Sequence, residues 1–283
     1  MVERRPLLTF VSHAVLLLGV LVTLFPIYVT LVASSQSAEQ MKRVPMSLVP
    51  GTSALHNFSV VLFGDGSAPG ATAMAHMLQV SLAMALGIAV GKIVISMLSA
   101  FAIVYFEFPG RKTFFWMIFV TLMLPVEVRI SPTYQVVANL GLLNTYAGLT
   151  LPLIASATAT FLFRQFFLTV PDELAEAARI DGAGPLRFLR DVLLPLSATN
   201  IAALFVIQFI YGWNQYLWPL LATTNENMYP IVLGLKRVIG ASGDVAVQWE
   251  LAMATAVLAM APPALVVMLM QKWFVKGLVD SEK

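Results

Sequence analysis

Apolar residues are concentrated in six long stretches that are separated by more polar segments. The stretches cover residues 11–33, 78–104, 114–137, 146–163, 201–221 and 251–270. About 20 consecutive apolar residues are enough for a helix to cross a bilayer. The stretches lack the alternation with a period of two that membrane strands require. The pattern therefore predicts an all-α membrane protein with six transmembrane helices in one domain, residues 1–283.

The first and third stretches need separate arguments. The first follows Arg4 and Arg5, as a signal peptide would, but its roughly 23 apolar residues exceed the 7–15 of a cleaved signal. We therefore expect it to be retained as a span. The far end of the third stretch contains Pro125 and Pro132. A membrane helix tolerates proline where neighbouring groups satisfy the freed carbonyl, so this span should be kinked or should end early.

The composition excludes several classes of protein. Of the 283 residues, 59% are hydrophobic and only 11% are charged, and the mean hydropathy is +0.83. That charged share is under half of the usual value, too small to form the polar shell of a soluble domain, and disorder is equally excluded. The net charge of +2 gives no electrostatic reason to bind nucleic acid. The chain contains no cysteine, which excludes disulfides, thiolate metal sites and cysteine nucleophiles.

The distribution of basic residues predicts the orientation of the spans. If the N-terminus is inside, the inner segments contain eleven Lys and Arg residues and the outer segments contain five. This asymmetry fits the positive-inside rule, so both termini should be cytoplasmic. The outer segment from 34 to 73 is rich in Gly, Pro and Ser, and we expect it to have little regular structure. The basic C-terminal tail, 272–283, would anchor to anionic lipid.

One predicted cytoplasmic segment has an unusually high density of charge. Residues 164–191 contain nine of the chain's 32 charged residues. We expect a helix that is capped by Thr169, has Pro171 in its first turn, and places Asp172 and Glu173 at the positive end of its dipole. Gly182 would end that helix.

A second short helix, 185–194, would follow Gly184 and end at Pro195. The two helices would form a corner, and the first would present a face of small residues, Ala175 and Ala178. Small residues permit close approach, and a charged rim fixes the register of a docked surface. The segment is thus suited to docking a soluble partner, although a solvated loop with fortuitous charge is the alternative.

The spacing of residues in this segment resembles the EAA loop of bacterial ABC importer permeases. The matching positions are Glu176, Ala177, Ala178, Gly182, and the run Val192, Leu193, Leu194 and Pro195. Val192 stands where the family usually has Ile. The resemblance implies that the loop, 164–197, couples the spans to a cytoplasmic ATPase, with Glu176, Ala177, Ala178, Gly182 and Pro195 as coupling residues.

The whole chain further resembles the second permease subunits of glycerol 3-phosphate importers, in the carbohydrate-importer group that includes the maltose system. Residues 121–129 and 211–219 look most similar, and the outer segments 55–75 and 225–250 least similar. The resemblance implies the type I ABC importer fold and the bacterial inner membrane. Its partners would be a second permease, two copies of an ATPase and an extracytoplasmic binding protein.

The resemblance also implies that this chain is not an enzyme and holds no cofactor, because ATP and Mg²⁺ would bind the partner ATPase. The residues agree, since the Gly87, Gly91 and Lys92 pattern fails as a phosphate-binding loop in spacing and context. The spacing of Ala83, Gly87 and Gly91 instead favours close helix packing. A different sugar or a glycerophosphodiester is the alternative cargo. A secondary transporter is less favoured, because such carriers usually show internal repeats and more buried ionisable groups.

Several polar residues within the spans are candidates for lining the pathway. A charge near the bilayer centre is costly, so Lys92 should face the bundle interior or a water-filled cavity. It could bind a phosphate-bearing substrate or an internal structural partner. Asn214 and Gln215, with Tyr211 as a weaker candidate, could line the pathway or hydrogen-bond between helices.

Two charged residues near the outer end of the third span, Glu127 and Arg129, could shape an outer gate, dock the binding protein or form an interfacial salt bridge. Helix packing is the first interpretation of the small polar run 156–160. His13, His56 and His76 are scattered and form no set of metal ligands, so no metal site is expected.

Overall fold

The computed structural model describes residues 6–64, 74–121, 124–240 and 247–280, and the regular secondary structure in these ranges is helical. The helices are α1 (Pro6–Ser35), α2 (Ala38–Met41), α3 (Ala54–Phe63), α4 (Met74–Tyr105), α5 (Arg111–Val120), α6 (Val126–Asn139), α7 (Tyr146–Thr150), α8 (Ala157–Phe167), α9 (Asp172–Ile180), α10 (Pro185–Phe188), α11 (Leu194–Leu196), α12 (Ala198–Trp213), α13 (Leu217–Ala222), α14 (Ile231–Gly240) and α15 (Trp249–Asp280). The predicted all-α class is confirmed.

The chain divides into two compact units. One unit comprises residues 1–75 and 234–261, and the other comprises residues 76–233 and 262–283. The division falls within α15, directly before its two adjacent prolines, Pro262 and Pro263. The second unit contains the segment with the EAA-like spacing and also Lys92, so the sites considered below all lie in it.

Three described helices are long and apolar enough to cross a membrane, and they match the first, second and sixth predicted spans. They are Leu7–Ser35, Met74–Tyr105 and Trp249–Lys272. Two bent pairs of helices meet the same criterion jointly. Tyr146–Leu153 and Ala157–Phe167 meet at 52°, and Pro185–Leu196 and Ala198–Trp213 meet at 76°. The described part of the chain therefore contains three to five candidate spans, which is compatible with six.

The third predicted span consists of two helices, as its prolines suggested. Helix α5 ends at Val120, and Pro125 is the residue that precedes α6, with a ψ angle of 145° that lies outside the helical region. Pro132 lies inside α6.

The fifth predicted span, 201–221, is also interrupted, and here the prediction of one continuous helix was wrong. Helix α12 ends at Trp213, and α13 begins only at Leu217. The physical reason is Pro219, which has no N–H and whose ring would collide with the carbonyl of Gln215 in a continuous helix. Asn214 and Gln215 thus lie between two helices and not within one continuous helix.

In the first unit, the chain after α1 forms two further helices, α2 and α3. The expectation that segment 34–73 has little regular structure is therefore wrong as far as Gly64. Helix α2 begins with a capping box in which Ser37 and Gln40 bond each other's backbone. Buried Asn57 of α3 donates to the carbonyls of Ser34 and Gln36 at 2.9 and 2.8 Å. These bonds tie the end of α1 to α3, because a buried amide must find partners within the chain. The remainder, 65–73, lies outside the described residues.

In the second unit, Asn144 joins the turn after α6 to the end of α13. It adopts a left-handed backbone with φ 58°. Its side-chain oxygen accepts from the N–H groups of Thr224 and Asn225 at 2.7 and 2.8 Å. Its own N–H donates to the carbonyl of Ala222 at 3.1 Å. Asparagine suits this position because it tolerates the left-handed region and bonds locally.

We expect Asn144→Gly to loosen this junction by about 1–3 kcal/mol, because the backbone is retained but the hydrogen bonds of the side chain to Thr224 and Asn225 are lost. Asn144→Ala should cost about 1–2 kcal/mol more, since alanine is also strained in the left-handed region. The rate of limited proteolysis within 223–230 measures the effect. Cleavage of both variants at the wild-type rate would contradict the proposed role of the side chain.

Candidate functional site

Helix α9 begins two positions later than a Thr169 cap would require. Thr169 donates its hydroxyl proton to the carbonyl of Phe166 at 2.7 Å, so it finishes α8 and does not cap α9. Pro171 occupies the N-cap position, and Asp172 and Glu173 form the first turn. The expected capping role of Thr169 is therefore wrong. The acids are placed as predicted, at the positive end of the helix dipole.

The end of α9 is a Schellman motif built on Gly182. This glycine has φ +72°, and its N–H donates to the carbonyl of Arg179 at 3.0 Å. The next N–H, of Ala183, donates to the carbonyl of Ala178 at 2.8 Å. A left-handed residue is required for this pair of bonds, and glycine adopts it without strain. The predicted helix stop at Gly182 is confirmed.

The small residues of α9 face the interior of their own unit, which corrects the prediction of a free small-residue face. Ala175 and Ala178 pack against a buried cluster of large apolar side chains from α4, α8 and α10, among them Phe101, Phe163 and Phe188. Glu176 and Ala177 are exposed instead. The orientation could not be read from the sequence, because both sides of the helix carry alanine.

The exposed residues of α9 and α10 include large apolar side chains. Leu174 is 40% exposed, Ile180 is 85% exposed and Leu186, on α10, is 74% exposed. Charged residues lie among them, including Glu176 and Arg179. Apolar side chains with a polar rim are typical of a protein contact surface. We call Leu174, Glu176, Ala177, Ile180 and Leu186 the docking face.

The second helix of the corner is longer and less regular than predicted. Helix α10 continues into a π-helical turn, Leu189–Leu193, and then into α11, so the helical path passes through Pro195. A π turn widens the helix, which accommodates a proline that cannot donate to the preceding turn. The prediction that the second helix ends at Pro195 was therefore wrong. Whether a turn is α- or π-helical depends on packing, which the sequence does not show.

Ser197 forms the corner between α11 and α12. It is fully buried, and both its N–H and its hydroxyl donate to the carbonyl of Leu193, at 2.9 and 2.6 Å. The helical axis bends by 76° here. The backbone stays hydrogen-bonded through the bend, which connects α11 directly to α12.

Tyr105, the last residue of α4, connects this helix to the corner and to α8. Its ring lies edge-on to Phe188 of α10 with centroids 5.3 Å apart. Its hydroxyl donates to the carbonyl of Phe167, the last residue of α8, at 3.3 Å. Aromatic pairs of this geometry contribute about 0.5–1.5 kcal/mol beyond area burial. Sequence reasoning missed Tyr105 and Phe188, which are 83 residues apart in the chain.

Lys92 is buried, with 6% of its surface exposed, and its partners lie in the same chain. Its ammonium group donates to the side-chain oxygen of Gln208 at 3.0 Å and lies 3.5 Å from the ring centroid of Tyr211. Both partners are on α12. Lys92 points into the bundle, as expected. Its ammonium group contacts Tyr211, which is another of the predicted pathway residues. Gln208 was missed, since a lone amide in an apolar stretch gives no signal.

The other two candidates on this span follow the end of α12. Asn214 is exposed, and its N–H donates to the carbonyl of Ile210 at 3.0 Å. Gln215 donates from its side chain to the carbonyl of Tyr211 at 3.1 Å. The backbone N–H of Asn214 and the side-chain amide of Gln215 thus close the last turn of α12.

The glycines of α4 pack as their spacing predicted. A side chain at Gly91 would place Cβ 2.6 Å from Ile154, and one at Gly87 would place it 3.1 Å from Thr150. Glycine is thus required for the close approach of α4 to the segment after Thr145. Of the outer pair, Arg129 is exposed on α6, whereas the side chain of Glu127 lies outside the described residues.

No three His, Cys, Asp or Glu residues among the described ones are grouped closely enough to hold a metal ion. His13 contacts the carbonyl of Thr9 in its own helix, and His76 contacts the carbonyl of Asn227. His13 and His76 thus each contact a backbone carbonyl.

The sequence and the fold both match known proteins. Residues 92–280 match the family model of the binding-protein-dependent transport system inner membrane component. The chain is 59% identical to the sn-glycerol-3-phosphate transport system permease protein UgpE of Rhizobium meliloti (strain 1021), over 283 residues and 100% of both chains. It is 58% identical to the protein of the same name from Salmonella typhi, again over 100% of both chains.

A solved structure has the same fold. It is the crystal structure of a bacterial ABC transporter involved in the import of the acidic polysaccharide alginate, and one of its chains aligns with a TM-score of 0.77. The alignment covers 97% of this chain and 99% of that chain at 24% identity. The predicted type I ABC permease fold is thereby confirmed.

Proposed function

The chain belongs to the family of binding-protein-dependent transport system inner membrane components, and we propose that it is a permease subunit of an ATP-driven importer of sn-glycerol 3-phosphate. The full-length identity to permeases of sn-glycerol-3-phosphate transport systems carries this proposal. The chain is an inner-membrane protein, and its role is conduction and coupling, not catalysis.

The chain works with a second permease subunit, two copies of a cytoplasmic ATPase and an extracytoplasmic binding protein. The binding protein delivers the substrate, and the paired permeases enclose its path through the bilayer. ATP and Mg²⁺ bind the ATPase. A permease that depends on such a partner needs a rigid surface for it, and the docking face on α9 and α10 supplies one.

Coupling follows from the way the corner is held. The docking face takes the movement of the ATPase, and Ala175 and Ala178 seat α9 against the unit's core. Tyr105 and Phe188 connect the corner to α4, and the hydrogen-bonded bend at Ser197 connects it to α12. A displaced corner therefore tilts two long helices together, which is how a domain movement opens or closes a path between helices.

The test is the uptake of labelled sn-glycerol 3-phosphate in cells that lack this chain, with and without its restoration. We expect restoration to bring back energy-dependent uptake, and the purified chain to carry its ATPase. De-energised cells are the control. Unchanged uptake on deletion, with uptake of a sugar or a glycerophosphodiester lost instead, would overturn the substrate assignment. Uptake without a co-purifying ATPase would overturn the importer class.

A further inference from the structure

A buried cation lies between α4 and α12, close to the middle of α4. Lys92 and Gln208 are 6% and 7% exposed, and their side chains meet at 3.0 Å. The ring of Tyr211 covers the ammonium group at 3.5 Å, and this tyrosine is 36% exposed. Tyr211 is therefore the member of the cluster that connects the cation to the surface of α12.

The positive charge is not neutralised by its surroundings. In the described ranges no carboxylate pairs with Lys92, and its contacts are a neutral amide and an aromatic ring. A buried charge is costly unless it is paired. Other buried polar groups of α4 are neutral, such as Ser96, which donates to the carbonyl of Ser156 at 3.2 Å. An apolar residue would pack this position at lower cost, so packing alone does not explain a lysine.

A close contact between α4 and α12 fixes the relative positions of the two helices beside Lys92, Gln208 and Tyr211. A side chain at Gly212 would place Cβ 3.0 Å from Cα of Ala85 and 3.3 Å from Ile88. The backbones of α4 and α12 thus nearly touch one residue beyond Tyr211. Lys92 and Gln208 lie beside this contact and are buried, whereas Tyr211 is 36% exposed.

We propose that Lys92 is the group that recognises the phosphate of the transported ester. Gln208 holds the ammonium group in place, and Tyr211 covers it until the substrate passes. A phosphate monoester is a strong partner for a desolvated ammonium group, since charge-assisted hydrogen bonds are about twice as strong as neutral ones. This inference rests on the proposed function, and it assigns the selection for anionic cargo to α4 and α12 of this chain.

The decisive variant is Gln208→Glu. It preserves the size of the side chain and the contact to Lys92, but it gives the cation a carboxylate partner and removes the net charge of the cluster. If Lys92 recognises phosphate, the initial rate of sn-glycerol 3-phosphate uptake falls about tenfold or more, as expected for the loss of a charged hydrogen bond. If Lys92 is only structural, the new ion pair is tolerated and uptake stays within about twofold of wild type.

Two further variants complete the experiment. Lys92→Met removes the charge directly and should lower uptake as much as Gln208→Glu does. Ser96→Ala removes a buried hydrogen bond from the same helix without altering charge, and should retain wild-type uptake. Co-purification of the ATPase with each variant establishes that the complex has assembled.

The outcomes separate the two proposals. Wild-type uptake by an assembled Gln208→Glu complex overturns the role of Lys92 and leaves the importer assignment standing. Absence of sn-glycerol 3-phosphate uptake by the wild-type complex overturns the proposed function itself, and with it the phosphate site.

Discussion

We expect Gly182→Val to lower energy-dependent uptake of sn-glycerol 3-phosphate about tenfold while the chain still inserts into the membrane. A left-handed backbone costs a residue with a side chain about 1–2 kcal/mol, and a β-branched residue suits it least. The variant therefore favours a backbone in which the Schellman bonds of Arg179 and Ala178 are broken. Without them the last turn of α9 unwinds, and the docking face loses the fixed angle between α9 and α10.

The matched control is Gly184→Ala, two residues further on. Gly184 has φ −70° and ψ 166°, which any residue adopts, and an added Cβ meets no atom within 4 Å. An added Cβ at Gly182 is equally free of contacts, so a Cβ fits at both positions and only Gly182 requires the left-handed backbone. We expect wild-type uptake for Gly184→Ala. Equal uptake by both variants would show that the turn does not govern coupling.

We expect Gly148→Ala to reduce the amount of assembled transporter about tenfold or more, because a buried collision of this kind exceeds the ~1–3 kcal/mol cost of ordinary overpacking. An added Cβ would collide with the carbonyl oxygen of Leu142, which is backbone and cannot turn aside. The carbonyl of Gly148 also accepts from the indole N–H of buried Trp218 at 3.0 Å. The collision therefore separates α7 from α13 as well as from the turn before it.

Two variants calibrate this effect. Gly19→Ala is the control for glycine replacement in a helix, since its Cβ meets nothing within 4 Å, and it should assemble normally. Trp218→Phe removes the donor to Gly148 and part of the buried indole, and should cost at least about 1–3 kcal/mol. The measurement is the amount of each variant that co-purifies with the second permease from equal membrane. Normal assembly of Gly148→Ala would contradict the packing described here.

Local chemistry made parts of the candidate site predictable. The stop at Gly182 could be read in advance, because a glycine after a polar, alanine-rich run is a common way to end a helix, whatever surrounds it. The acids at Asp172 and Glu173 were placed correctly for a similar reason, since the helix dipole acts within one turn. The close packing of Gly87 and Gly91 followed from their spacing on one face of α4.

Contacts between distant residues were not predictable. Lys92 and Gln208 are separated by 116 positions, and an amide within an apolar stretch does not indicate its partner. The inward face of α9 was misassigned because Ala175, Ala177 and Ala178 are alike in the sequence, and only packing against the cluster of Phe163 and Phe188 distinguishes them. The Thr169 cap failed because its hydroxyl had a nearer acceptor in α8.

The sequence by itself determined that this is an all-α membrane protein and placed its EAA-like corner and its buried lysine. Hydropathy, charge asymmetry and motif spacing depend on the order of residues along the chain, so they can be read without a structure. The tertiary structure alone decided where the spans break, which side of α9 is free, and what surrounds the charge of Lys92. Those depend on which helices meet, because burial and hydrogen bonding are properties of contacts between segments that the chain order leaves far apart.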